Sequence, residues 1–211
     1  MCVQFMSNKS LTDLAKLYGA EVKKEFEWKP HIFPRYLAPV IIQRKGQLEV
    51  VPMHYGLIPS FERNEKPKMV FHNARSETLK EKASFKKAYL EQRCLIPLDS
   101  FYEFVDGKEI NPKTGNPKKQ LIQFSPVHTP PLTAAGIWCL WKNPVSGEIT
   151  ANFSMITRDP PPFIEQNGHD RCPLFLKPEH WNEWLDPSLH SYEALDSYLA
   201  NQRAEVNWEV R

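Results

Sequence analysis

Nineteen prolines are distributed through this 211-residue chain, and they restrict its architecture more than any other feature. Proline has no amide donor and a fixed φ, so it belongs at edge strands, turns and first positions of elements. The chain is therefore expected to form bent sheets of short strands, not long regular ones. Its apolar runs agree: Val40-Ile41-Ile42, Leu48-Glu49-Val50-Val51, Leu95-Ile96-Pro97-Leu98, 120–124, 132–140 and 151–157 all have strand character. Arg44-Lys45-Gly46-Gln47 joins the first two runs as a hairpin. Lys108 to Lys119, with Asn111-Pro112, Gly115 and Asn116-Pro117, has the composition of an exposed loop or hairpin tip.

Helical signals are local. Ser10-Leu11-Thr12-Asp13 opens a helix whose apolar positions Leu11, Leu14, Ala15, Leu17 and Tyr18 end at Gly19. Further helices are predicted from Ser84 to Arg93, with Phe85, Ala88 and Tyr89 inward, from Pro178 to Leu185, and from Ser191 to Gln202. No repeat, linker or βαβ alternation is present. The expected fold is a single α+β domain over 1–211, a mainly antiparallel barrel-like β-sheet with peripheral short helices.

No signal-peptide core is present and no stretch approaches twenty apolar residues, so a cytoplasmic protein without membrane contact is expected. The four cysteines, Cys2, Cys94, Cys139 and Cys172, lie far apart and are read as thiols. A net charge of +2 is too small to establish nucleic-acid binding. Basic residues concentrate between Arg63 and Lys87, but interspersed glutamates make a solvated face as good a reading. The chain has no phosphate-binding Gly-rich loop, no Gly-x-Ser-x-Gly elbow and no His-Glu-x-x-His, which disfavours the familiar nucleotide, serine-hydrolase and zinc mechanisms. No cofactor or metal is expected.

Cys2 directly follows Met1. Once Met1 is removed, Cys2 carries a free α-amine and a thiol on adjacent carbons, a pair able to close a five-membered ring on an aldehyde. Unperturbed pKa values of about 7.7 to 8.0 and 8.5 leave both partly nucleophilic near neutral pH. Three other segments carry more polar functionality than packing requires. Asn73-Ala74-Arg75-Ser76-Glu77-Thr78 combines a carboxamide, a guanidinium and a carboxylate. Phe101-Tyr102-Glu103-Phe104 sets Glu103 among aromatics, either as a proton-transfer group raised by burial or as a rim or ion-pair residue. In His169-Asp170-Arg171-Cys172-Pro173, His169 is a proton donor or acceptor or a structural histidine, and Arg171 is suited to an oxyanion.

These segments resemble, in order along the chain, the motifs of the SOS response-associated peptidase (SRAP) family. Met1-Cys2-Val3-Gln4-Phe5 is similar to the family's Met-Cys-Gly-Arg-Phe start, and Tyr55-Gly56-Leu57-Ile58-Pro59 to its Trp-Gly-Leu-Ile-Pro. Residues 73–78 match Asn-Ala-Arg-x-Glu-Thr, and 101–104 are similar to an aromatic-Tyr-Glu-Trp motif. Ala135-Gly136-Ile137-Trp138, the strand 153–157, and 169–173 resemble the remaining segments.

The resemblance implies an α+β fold and action on abasic sites in single-stranded DNA. Cys2 would condense with the ring-opened aldehyde to a thiazolidine that shields the lesion. Glu103 and His169 would move protons, and Asn73 would hold the sugar. Arg75 and Arg171 would grip phosphates, Phe61 would stack on a base, and Gln4 would stand at a DNA-contacting position without the family's cation. The implied partner is abasic single-stranded DNA, bound by a monomer in the cytoplasm and on the nucleoid. The chain departs from the pattern at Val3, at Gln4, and after Asn207-Trp208-Glu209-Val210-Arg211, where a final strand is expected to be absent or replaced. Two alternatives remain open: a thiol peptidase or autoprotease using Cys2, with removal of Met1 as its cut, and a non-catalytic single-strand binder using Arg75, Arg171 and Phe61.

Overall fold

The computed structural model describes residues 4–127 and 132–211. Met1, Cys2 and Val3, and with them the expectations placed on Cys2 and Val3, lie outside the described residues.

The chain opens with β1 (Gln4–Met6), α1 (Leu11–Tyr18), β2 (His31–Ile32), β3 (Leu37–Arg44) and β4 (Gln47–Tyr55). The Ser10 side chain accepts from the Asp13 N–H to start α1, and Gly19 at φ 60 ends it. The β3–β4 hairpin turns on Lys45 and Gly46, both at positive φ, as a two-residue turn matched to strand twist requires. Next come β5 (Asn73–Arg75), α2 (Lys86–Glu91), β6 (Arg93–Leu98), β7 (Ser100–Ile110), β8 (Pro117–Pro126), β9 (Leu132–Lys142) and β10 (Ile149–Arg158). The chain ends with α3 (Pro162–Gln166), β11 (Cys172–Pro173), α4 (Trp181–Leu185), α5 (Tyr192–Asn201) and β12 (Trp208–Val210).

Two sheets result. One is wholly antiparallel, in the order β12-β8-β7-β1-β2. In the other, β3, β4, β10, β9 and β6 pair in a closed ring, and β5 and β11 pair with the C-terminal end of β10. Closure removes edges, and among the described residues only β4 and β5 run parallel to β10. The fold is α+β and barrel-like, as the short apolar runs predict.

Side-chain alternation divides the core. In β6, Cys94, Ile96 and Leu98 join a cluster with Phe5, Tyr55, Phe101, Phe124 and Phe153, which draws on both sheets. Leu95 instead joins Ile41, Ile137 and Ile156 in a cluster with the helical residues Leu14, Tyr89, Trp184 and Leu195.

Several boundaries differ from expectation. The helix predicted to Arg93 stops at Glu91, because Arg93 begins β6 and its buried guanidinium binds helix-terminal carbonyls. Strand character was not evident at 100–110, yet this is β7: Glu103 occupies an inward position between Phe101 and Val105 and interrupts the apolar alternation. The expected loop at 108–119 is largely strand, with its tip at 111–116. The tail supplies a short final strand, β12, paired with β8. No helix among the described residues is long and apolar enough to cross a membrane.

Candidate active site

The site forms where β10 outruns its main neighbours. Thr157 is paired with Arg75 of β5 and with Pro173 of β11, so the 73–78 and 169–173 segments flank the same strand end. Gly56 at φ 123 permits this approach: a Cβ there would stand 2.7 Å from Val70 Cγ1 and 3.1 Å from His72 Cδ2. His72 then delivers its carbonyl to the Met155 N–H at 2.9 Å. Burial, with the Arg35 charge as a lesser cause, holds His72 below the ordinary histidine range.

Arg171 is the organising residue of this end. It is 6% exposed, and its guanidinium donates to Glu77 Oε1 (3.1 Å) and Oε2 (3.0 Å), Asp159 Oδ1 (2.9 Å) and the Thr157 carbonyl (2.8 Å). This bidentate fork suits guanidinium geometry. Burial pushes the Glu77 carboxyl up, but hydrogen bonds and charge from Arg171 outweigh it and leave Glu77 below the usual carboxylate range.

Arg171 also fixes His169. Its carbonyl lies 2.9 Å from His169 Nδ1, and its N–H reaches the same nitrogen at 3.2 Å, so Nδ1 can donate to the first or accept from the second. The other ring nitrogen, Nε2, lies 2.9 Å from Glu103 Oε2. Both side chains are almost wholly buried, at 6% and 2% exposure, where an isolated charge would be prohibitive. The two groups can hold and pass a proton between Oε2 and Nε2, which is the arrangement needed to protonate one atom and deprotonate another in successive steps.

The other expected residues take different positions. Asn73 is half-buried at the start of β5, and Arg75 is exposed at its end. Gln4 is directly paired with Tyr102, the neighbour of Glu103, and its Oε1 lies 3.1 Å from His31 Nε2. Phe61 is 44% exposed on a loop tied down by buried Glu62, which accepts from the N–H groups of Asn64 (2.9 Å) and Met69 (3.2 Å). Trp141 Nε1 anchors the same loop by donating to the Glu62 carbonyl at 3.0 Å. Cys172 is core, and burial pushes its thiol up to about 12. Cys94 and Cys139 are likewise buried thiols.

Sequence reasoning missed the carboxylates Glu77 and Asp159 as partners of Arg171. Glu77 stood inside a recognised motif, but its partner lies 94 residues away. An aromatic stack was also missed. His31 lies 4.7 Å from Tyr102 and 4.3 Å from Phe33, and Phe33 lies 5.4 Å from the exposed Tyr36, over which Lys29 sits. The density of aromatic and basic residues between Trp28 and Tyr36 was its only signal.

Comparison with known proteins shows the family. The family model "SOS response associated peptidase (SRAP)" matches residues 1–210. The abasic site processing protein YoqW of Bacillus subtilis (strain 168) is 32% identical over 202 residues, covering 94% of this chain and 86% of its own. The abasic site processing protein HMCES of Pongo abelii is 27% identical over 188 residues, covering 72% of this chain and 52% of its own. A crystal structure of a protein from Bacteroides thetaiotaomicron matches with a TM-score of 0.80 at 26% identity, over 94% of this chain and 86% of that one. This chain belongs to the SOS response associated peptidase (SRAP) family.

Proposed function

We propose that this protein processes abasic sites in single-stranded DNA by covalent capture through Cys2. The observation that carries the reading is the buried Glu103–His169 pair, 2.9 Å apart, beside the strand that begins at Gln4. Cys2 stands two positions before Gln4 in the sequence, and Gln4 is paired with the residue next to Glu103. The relatives named for abasic-site processing supply the substrate class.

The reaction requires hydrolysis of the Met1–Cys2 bond, which frees the α-amine. The amine nitrogen attacks C1′ of the ring-opened deoxyribose, and water leaves to give an imine. The thiolate then attacks the imine carbon, a C–S bond forms, and the nitrogen takes a proton to complete the thiazolidine. One water is lost overall. Glu103 and His169 move the protons of ring opening and dehydration, and Asn73 positions the sugar. Arg75, exposed beside the site, binds backbone phosphate. Phe61 offers a face for base stacking, worth about 1 to 3 kcal/mol per base. Arg171, expected at a phosphate, is assigned instead to positioning His169, because both of its terminal guanidinium nitrogens already have carboxylate and carbonyl acceptors.

A denaturing gel tests this reading. The processed protein should form a band that survives denaturation with an abasic oligonucleotide and not with an undamaged one. Cys2→Ser should give at most an unstable imine, and Cys2→Ala nothing. Undiminished linkage by Cys2→Ala would sink the mechanism.

A further inference from the structure

The arginines at this end of the molecule are unequally satisfied. Arg171 makes four hydrogen bonds. Arg158, the last residue of β10, is half-buried, and among the described residues its guanidinium has no hydrogen-bond or ion-pair partner, with Nε fully enclosed. It lines a cavity of about 480 Å³. A second donor without an acceptor, the indole Nε1 of Trp208, belongs to the same cavity, and Trp208 itself is 8% exposed. Buried donors are nearly always paired, so two in one cavity indicate an acceptor that arrives from outside.

The surroundings define that acceptor. Phe163 and Phe175 supply apolar wall, and the Pro160–Pro162 run adds no amide donors. Two acids are near. Asp159 is engaged by Arg171 at 2.9 Å, and Glu205 lies exposed at the cavity without an ion pair to Arg158. A guanidinium fork and an indole N–H beside low-dielectric walls suit a phosphate oxyanion.

The cavity adjoins the candidate active site. Arg158 is directly paired with Cys172 across β10 and β11, and the Cys172 thiol lies within electrostatic reach of Arg158, Glu103 and Arg171. We propose that the Arg158–Trp208 cavity is an oxyanion site that takes a phosphate group, in the bound strand a backbone phosphate next to the lesion. This assignment rests on the DNA-processing reading for its substrate. It gives Arg158 the phosphate contact that the sequence suggested for Arg171.

The test compares wild type with Arg158→Met and Trp208→Phe in two assays. In the first, affinity for an undamaged single-stranded oligonucleotide is measured against salt. Arg158→Met should bind about tenfold more weakly, with a salt slope shallower by about 0.7, the value for one lost phosphate contact on a single strand. Trp208→Phe should lose less. In the second, inorganic phosphate should raise the Tm of wild type and not of Arg158→Met. Loss in both assays assigns the site to strand phosphates, and loss in the second alone assigns it to free phosphate. Unchanged behaviour in both overturns the proposal. Without phosphate, Arg158→Met should melt at or above the wild-type Tm, because an unpaired, half-buried charge is removed; a lower Tm would show that Arg158 is a structural residue and also overturn it. Wild type that responds to phosphate but never crosslinks abasic DNA would defeat the proposed function and leave the phosphate site standing.

Discussion

Two buried arginines at different places in the fold show what distinguishes support from site. Arg93, under the helices, donates to the carbonyls of Trp184 (2.7 Å), Asp186 (2.6 Å), Tyr89 (3.1 Å) and Leu90, and its guanidinium lies over the Trp184 ring. These are orphan acceptors at the C-terminal ends of α2 and α4, where a cation is favoured. One side chain thereby ties two helices to β6. Arg171, at the end of β10, takes two carboxylates and one carbonyl as acceptors, and its own backbone fixes His169 beside Glu103. The first arrangement ends in neutral backbone. The second ends in a buried pair of titratable side chains, His169 and Glu103.

The contrast predicts separable losses. The largest effect should come from Glu103→Gln or His169→Ala, each slowing adduct formation with abasic DNA by about 10²- to 10⁴-fold while the circular dichroism spectrum stays that of wild type. Equal rates for both variants and wild type would remove the proton-transfer role. Arg93→Met should do the reverse. It leaves four carbonyls without their donor and should lower urea stability by about 3 to 5 kcal/mol, yet the fraction that remains folded should crosslink at the wild-type rate.

Glu77→Gln should have an intermediate effect that joins the two properties. Glu77 is half-exposed, so its pair with Arg171 should contribute only about 1 to 2 kcal/mol to stability, but loosening Arg171 should slow adduct formation about tenfold through His169. Rescue by Glu77→Asp would mark a positioning role. The smallest effect is pH-dependent. The folded-state pKa of Glu77 is depressed, so its contribution is fully present above the ordinary value of 4.5 and is lost as pH falls through the depressed value. The stability gap between wild type and Glu77→Gln should therefore close on acidification below about pH 4.5; a gap that widens there would contradict the assignment.

Much of this was legible in the chain, for local reasons. The Ser10 cap, the Gly19 stop and the Lys45-Gly46 turn are decided by neighbouring residues, and they appear where the sequence places them. The family resemblance likewise rested on short motifs. What was not legible depends on register. Glu77 finds Arg171, and Glu103 finds His169, only because β5 and β11 pair with the same end of β10 and β7 shares a core cluster with Cys172 of β11. Arg158 has an ordinary strand-end sequence context, and its lack of a partner appears only in the fold, where it lines the same cavity as Trp208 of the tail. Glu103 concealed β7, since a buried carboxylate breaks the apolar period by which a strand is recognised.

The most direct test of the central claim is the intact mass of the protein after incubation with a single-stranded oligonucleotide bearing one abasic site, with and without borohydride. The account predicts protein lacking Met1 plus DNA minus one water, a mass that borohydride leaves unchanged because the thiazolidine contains no imine. An adduct that gains two hydrogens would be an arrested Schiff base without thiol closure. A processed protein that forms no adduct would contradict covalent capture by Cys2.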